Sequence, residues 1–229
     1  RNLGSSQVCI ALDDTDCYGD YYQWGRNADG HEEENSSITS LQAIDINNAG
    51  EKYIVNNNQY YDWANKIDTQ GELRIKNWSN INGESICPIG YRVPIKQEII
   101  KENISLLNPF GHFLKLPYAG YRHYDGSAVD ASGLYGFIWL NEVGGINTSY
   151  SYYQGFGHPG EGVGMYERER GFSVRCIKDG IGITESNVAP VANAGVDRNA
   201  SEGTSVTLDA TLSSDSDGTI ASYEWKKGA

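Results

Sequence analysis

The residues of this chain with chemistry to offer are carboxylates and tyrosines. Asp125, Asp130, Asn141, Glu142, Glu161, Glu167 and Glu169 fall in one stretch and supply the hard oxygen donors that Ca2+ prefers. Asp125, Asp130, Asn141, Glu142 and Glu161 are taken as the candidate metal ligands, with calcium as the candidate cofactor. An ion held there would keep open positions for a ligand carboxylate or a pair of sugar hydroxyls. The same stretch carries Tyr121, Tyr124, Trp139, Tyr152, Tyr153 and Tyr166, candidates for stacking on a sugar face or packing against peptide side chains. Strand alternation through residues 150–153 would turn some of these rings into the core instead.

Other candidates have plainer readings beside them. Asp13, Asp14, Asp16 and Asp20 crowd around Cys17, as a calcium loop would, but a solvated acidic loop explains them as well. Asp215 and Asp217 stand in a D-x-D-G turn without the spacing of an EF-hand, and Asx-turns account for such a pattern. His112, His123 and His158 lack the spacing of metal ligands. There is no G-x-S-x-G elbow and no metalloprotease helix. Glu167 and Glu169 lie two apart, a separation too common to mark a glycosidase pair. A non-enzyme is expected.

The clearest helix spans residues 95–107, with Pro94 at its start and Ile99, Ile100, Ile104 and Leu107 at helical spacing. Short strands are expected at 113–116, 136–140, 149–154, 163–166 and 172–177. Residues 121–134 and 141–162 read as long, glycine-rich loops, which inside a compact domain are usually functional or disordered.

The 229 residues carry a net charge of -12, which argues against nucleic acid and anionic membranes as partners. No apolar run reaches the length of about 18 residues that a membrane span needs. Neither is a signal peptide visible, and the chain reads as an excerpt of a longer secreted protein. Four cysteines divide by position into Cys9 with Cys17 and Cys87 with Cys176, although three connectivities are open from sequence. Bridged cysteines imply an oxidising compartment.

Three sequence motifs resemble the FISUMP family of bacterial extracellular domains. Cys87-Pro88-Ile89-Gly90-Tyr91-Arg92-Val93-Pro94 is similar to its C-P-x-G-[YW]-R-[VL]-P pattern. Leu116-Pro117-Tyr118-Ala119-Gly120-Tyr121-Arg122 and Ser173-Val174-Arg175-Cys176-Ile177-Lys178-Asp179 resemble the later ones. The likeness spans residues 1–180 and implies a C-type-lectin-like α+β domain. It extends to formylglycine-generating enzymes, whose chemistry needs paired cysteines in an open cleft. The sugar-binding tripeptides E-P-N and Q-P-D of C-type lectins do not occur. Arg92, Arg122 and Arg175 sit within the motifs, where a structural role bridging carbonyls or acids is expected over ligand clamping.

After a linker at 181–188, residues 189–229 resemble the first part of a PKD-like β-sandwich, through Pro190-Val191-Ala192-Asn193-Ala194-Gly195 and Ser214-Asp215-Ser216-Asp217-Gly218. The combined expectation is a monomeric, non-catalytic adhesin module at a bacterial surface or secreted. It would bind an extracellular peptide or glycan with calcium, and the alternatives are a structural spacer or an enzyme.

Overall fold

The computed structural model describes residues 1–55, 61–127, 129–144, 149–157, 162–179, 190–214, 220 and 222–225. The chain divides into two compact units, Arg1–Gly182 and Ile183–Ala229. Among the described residues, the first is strand-rich with two α-helices. Its strands are β1 Tyr22–Gln23, β2 Ile38–Thr39, β3 Tyr53–Ile54, β4 Tyr91–Arg92, β5 Tyr121–Arg122, β6 Val129–Asp130, β7 Tyr135–Val143, β8 Tyr150–Gly157, β9 Gly162–Glu167, β10 Gly171–Phe172 and β11 Ile177–Lys178. The helices are α1 Glu72–Ser79 and α2 Lys96–Lys101.

Strands β7, β8 and β9 form an antiparallel sheet in that order. A second sheet runs β1-β10-β5-β6, while β11 pairs with β4 and β2 with β3. Alternation along β7 divides its side chains between two cores. Phe137 and Trp139 join Tyr22, Trp24, Trp78, Val93, Phe172 and Val174 in one. Ile138 and Leu140 meet Ile99, Leu116 and Phe156 in the other. A strand buried on both faces loses the polar and apolar alternation of a surface strand, and β7 reads accordingly as a continuous apolar run. Gly136 permits its close approach to β8, because a Cβ there would lie 2.1 Å from the Phe156 ring.

The expected helix at 95–107 is shorter in the structure, ending as α2 at Lys101. Asn103 adopts φ +50°, a left-handed conformation that stops helical propagation. Its start is tied by Glu98, which accepts the Ile95 N–H at 2.9 Å and grips Arg92 with both oxygens at 2.9 and 2.6 Å. Residues 113–116 are not a strand, since Lys115 takes φ +49° and its N–H closes a turn on the His112 carbonyl. The presumed loop at 121–134 contains β5 and β6, whereas the strands expected at 136–140, 149–154 and 163–166 are present as β7, β8 and β9.

Two bridges tie the unit covalently, Cys9–Cys17 and Cys87–Cys176, with Cα separations of 5.1 and 5.8 Å. The second joins the segment before β4 to the segment before β11, next to the pairing of Arg92 with Ile177.

The interior also holds cations. Arg26, Arg74 and Arg168 are fully buried. Arg74 lies 5.3 Å from the ring centroids of both Trp24 and Trp63, and Arg168 lies 4.8 Å from Trp24. Their charge is met by Asp62, which accepts from Arg74 and Arg168, and by Asp68, which accepts from Arg74. Each buried indole N–H finds a carbonyl: Trp24 on Leu140, Trp63 on Trp24, Trp78 on Arg26 and Trp139 on Tyr22. Such pairing is required when polar groups leave water.

In the second unit, the described residues show one bridge, Val191 with Ser214. Val191, Val196, Leu212, Tyr223 and Trp225 are exposed. The linker expected at 181–188 lies outside the described residues. No helix among those described is long and apolar enough to cross a membrane.

Candidate functional site

The end of β9 and the turn that follows bring Glu167 and Arg170 beside the rings contributed by β5 and its following loop. The Arg170 guanidinium lies 4.1 Å from the ring centroid of Tyr166, 5.1 Å from Tyr124 and 5.4 Å from Tyr121. Its Nε donates to Glu167 Oε2 at 2.6 Å, and its Nη1 is buried without a partner. Burial opposes the charge, but Glu167 outweighs it and holds Arg170 above its ordinary value. Tyr150 donates its hydroxyl to the other Glu167 oxygen at 3.4 Å.

Further rings extend the cluster. His123 lies tilted against Tyr124 with ring centroids 4.0 Å apart, and Tyr124 meets Tyr61 edge-on at 6.4 Å. Tyr121, His123, Tyr124, Tyr150 and Tyr166 are half-buried and Tyr61 is exposed. The inner side of Tyr166 rests on Tyr153 and Phe172, at 5.5 and 5.8 Å, so the cluster is anchored in the main core. Chemically it offers aromatic surface, neutral hydroxyls and a fixed cation, the combination that stacks on sugar rings or holds apolar and carbonyl groups of peptides.

Of the six rings expected to contact ligand, Tyr121, Tyr124 and Tyr166 therefore converge on Arg170. Trp139 and Tyr153 lie instead in the core. Trp139 is wholly buried and stacks on Phe172 at 4.3 Å. Tyr152 is turned to the opposite face of β8 from Tyr153, where Lys96 Nζ sits 4.0 Å from its ring.

The expected calcium ligands do not assemble among the described residues. Asn141 donates to the Ile75 carbonyl at 3.1 Å and to Ser79 Oγ at 2.8 Å. Glu142 accepts the Lys96 N–H at the start of α2. Asp125 accepts the Ser127 N–H at 2.8 Å and stands 3.1 Å from His123. That amide, with His123 nearby, holds its carboxyl below the usual range. Asp130 belongs to β6, on the strand paired with Tyr121. Glu161, His158, Asp215 and Asp217 lie outside the described residues. In the acidic N-terminal loop, Asp14 accepts from Gln7 and from the Ile10 N–H.

One group of three potential ligands does meet, Asp29, His31 and Glu32. Its bonds are already committed. His31 Nε2 accepts the Gln23 N–H at 3.1 Å, which places the ring proton on Nδ1, facing Asp29 Oδ1 at 2.6 Å. Metal binding through Nδ1 would need the proton on Nε2, directly against that N–H. Asp29 also accepts from Arg26, and Glu32 accepts the Gly30 N–H. The group serves as a structural knot.

Among the motif arginines, Arg122 fills a structural role: it donates to the Glu33 carbonyl at 3.0 Å and the Ser36 carbonyl at 2.7 Å, with its guanidinium 4.1 Å from Tyr53. Arg92 pairs with Glu98 and Asp179. Cys87 and Cys176 are bonded to each other, and Cys87 is buried.

Arg170 escapes a reading of the sequence because Glu167-Arg168-Glu169-Arg170 looks like a solvated turn. Its signal is contextual: an alternating charge run squeezed between two apolar strands.

Comparison with known proteins adds one match. Residues 187–228 match the family model of the PKD domain. The second unit thus carries a module typical of extracellular proteins. No curated protein and no solved structure matches the chain.

Proposed function

We propose that residues 1–182 form a non-catalytic recognition module of an extracellular adhesin, C-type-lectin-like in kind, that binds peptide or glycan at the Arg170 tyrosine cluster. The observation that carries this reading is Arg170 itself, a cation with an unpaired buried Nη1 set among three half-buried tyrosine rings. Arg26 and Arg74 have their donors absorbed by carboxylates and carbonyls, while the structural Arg122 and Arg168 each keep one buried donor without a partner, so what sets Arg170 apart is the set of three half-buried rings around it. The PKD match supports the extracellular setting, and the three FISUMP-like motifs support the lectin-like relation. Among the described residues, Asn141 and Glu142 are engaged by Ile75, Ser79 and Lys96, so recognition is assigned to the rings and guanidinium.

The test is binding of the full chain to glycan and peptide arrays, with and without chelator, alongside Tyr124→Ala and Tyr166→Ala. Binding that survives chelator and falls about tenfold or more in both variants supports the cluster. No binding at high protein concentration would favour a ligand-free spacer. Loss on chelation alone would restore a calcium site.

A further inference from the structure

The sheet β7-β8-β9 has two edges, and the chain treats them differently. The edge of β7 is occupied: Tyr135 accepts the Gly120 N–H at 2.8 Å, Trp139 donates to the Ser173 carbonyl at 3.0 Å, and Asn141 donates to the Pro94 carbonyl at 2.8 Å. Strand β9 pairs with β8 alone. Its ladder runs on into the Arg168 N–H, which donates to the Ser149 carbonyl at 3.0 Å. Bonded pairs alternate along an antiparallel ladder, so Gly162, Gly164 and Tyr166 turn their backbone groups to β8, while Val163, Met165 and Glu167 turn theirs outward. Among the described residues, the outward group with a partner is the Glu167 carbonyl, which accepts the Arg170 N–H at 3.1 Å.

Native proteins blunt a free edge with lysine, proline, a bulge or shortness. Strand β9 runs Gly-Val-Gly-Met-Tyr-Glu in unbroken register with β8, and Met165 at its middle is exposed. Every strand at the margin of the other described sheets is two residues long. The first residues of the chain and the last strand of the unit lie across β7 from β9. Leu3 donates to the Val174 carbonyl beside Ser173, and β11 pairs with β4 beside Pro94.

Alternating N–H and C=O groups are matched by another extended backbone, and this edge matches itself. Its outward positions 163, 165 and 167 are symmetric about Met165. In an antiparallel pairing centred there, Met165 faces Met165 of the second copy, Val163 faces Glu167, and each outward position is used. Tyr166 then stands opposite Gly164 of the second copy, where no side chain competes for space. The two Glu167 positions lie four residues apart along the ladder, about 13 Å, which exceeds a Debye length of about 8 Å and leaves like charge little hold on the register.

We propose that the first unit pairs with a second copy of the chain through β9, joining the two sheets edge to edge. The sequence reads as a monomeric module; the open, self-complementary edge makes it a two-fold pair. Residues opposite each other in an antiparallel ladder share a face, so the two Tyr166 rings, each with its Arg170, would face the same way. That arrangement suits a repetitive ligand, for which two linked sites bind more tightly than one. The pairing itself does not depend on what the rings bind.

Sedimentation equilibrium of the full chain, over a concentration series reaching about 0.5 mM, should show a reversible monomer–dimer equilibrium. Added salt should tighten it, because each copy carries a net charge of -12. Met165→Lys should raise the dissociation constant about fivefold or more with the melting temperature kept, since the position is exposed and like charges would meet at the centre of the ladder. All native cysteines are bridged, so an introduced thiol is the one that reacts. A short bismaleimide should crosslink Met165→Cys, whose two copies stand about 5.5 Å apart, and not Val163→Cys, whose copies are about 13 Å apart along the ladder. A chain monomeric across the series, or crosslinking alike at 163 and 165, would overturn the proposal. So would a monomer whose Val163 and Met165 amides gain hydrogen-exchange protection only from an array-selected peptide, which would give the edge to another protein. Should a cysteine variant not fold, sedimentation of the wild-type chain still decides.

Discussion

Arg74 and Asp62 form a two-point ion pair inside the first unit, with Arg74 Nη1 2.7 Å from Oδ1 and 3.0 Å from Oδ2. The same carboxylate also takes Arg168 at 3.3 Å. Burial, followed by the charge of Arg74, pulls Arg168 down to about 10, so Asp62 is what lets two cations share one interior. Asp62→Asn should therefore destabilise the unit by about 3–5 kcal/mol, the usual consequence of stranding a buried charge. Urea unfolding reads this directly, and a loss below about 1 kcal/mol would mean that water or rearrangement replaces the pair.

Core and surface aromatics should separate in mutagenesis. Trp139→Ala removes a ring that is fully buried and stacked on Phe172, and is expected to cost about 3–5 kcal/mol. Tyr124→Ala, at the half-buried rim of the Arg170 cluster, should cost about 1 kcal/mol or less. Thermal melts of the two variants beside array binding test whether stability and recognition reside in different rings. A Tyr124 variant as unstable as the Trp139 one would place that ring in the core.

The two disulfides should contribute unequally. The loop closed by Cys87–Cys176 spans 89 residues and that closed by Cys9–Cys17 spans 8. In the chain-entropy account the first is worth about 4.6 kcal/mol and the second about 2.5. Paired serine substitutions, compared in urea, should reproduce that order, and the reverse order would point to residual structure in the unfolded chain.

Asp20 should leave a mark on the pH dependence of stability. Burial, then the charge of Glu32, raises its carboxyl to about 6. Between about pH 4 and 6 the folded state thus holds a proton that the unfolded state has released, so this group's contribution to stability is lost as pH rises through that window and is constant above it. Glu32 and Glu98, whose folded values are lowered, act oppositely and at lower pH, losing their contribution as pH falls through those values. Asp20→Asn should flatten the 4–6 window relative to wild type in urea titrations across pH. An unchanged slope would show that Asp20 is better solvated than its position implies.

What could be read from sequence follows from where charges sit. Strands β7 to β9 announce themselves through aromatic and β-branched runs, and their positions follow from side-chain pattern alone. Helix α1 does not, because its buried residues are Arg74 and Trp78, and an apolar periodicity that includes an arginine is invisible to a hydrophobicity rule. The start of α1 is equally hidden. Its cap is supplied by Asp68, whose carboxylate accepts the Leu73 and Arg74 N–H groups from outside the helix. The same inversion explains the candidate site. Tyr121, Tyr124 and Tyr166 are findable as rings, whereas Arg170, which organises them, looks like surface until the turn around it is seen to be buried. Of the residues grouped as calcium ligands, Asn141 and Glu142 are claimed by the two helices, by way of Ile75, Ser79 and Lys96.

The Cys87–Cys176 bridge has a mechanical side. A tension applied along the backbone of the first unit, entering before Cys87 and leaving after Cys176, is short-circuited through the sulfur pair. The 88 residues strictly between them cannot be paid out as slack while the bridge is oxidised. That locked segment contains Tyr121, Tyr124, Tyr166 and Arg170, so these three rings and their guanidinium would keep their arrangement under pulling that stretches the rest of the unit. Reduction would release the segment to the load, turning a force-tolerant surface into an extensible one.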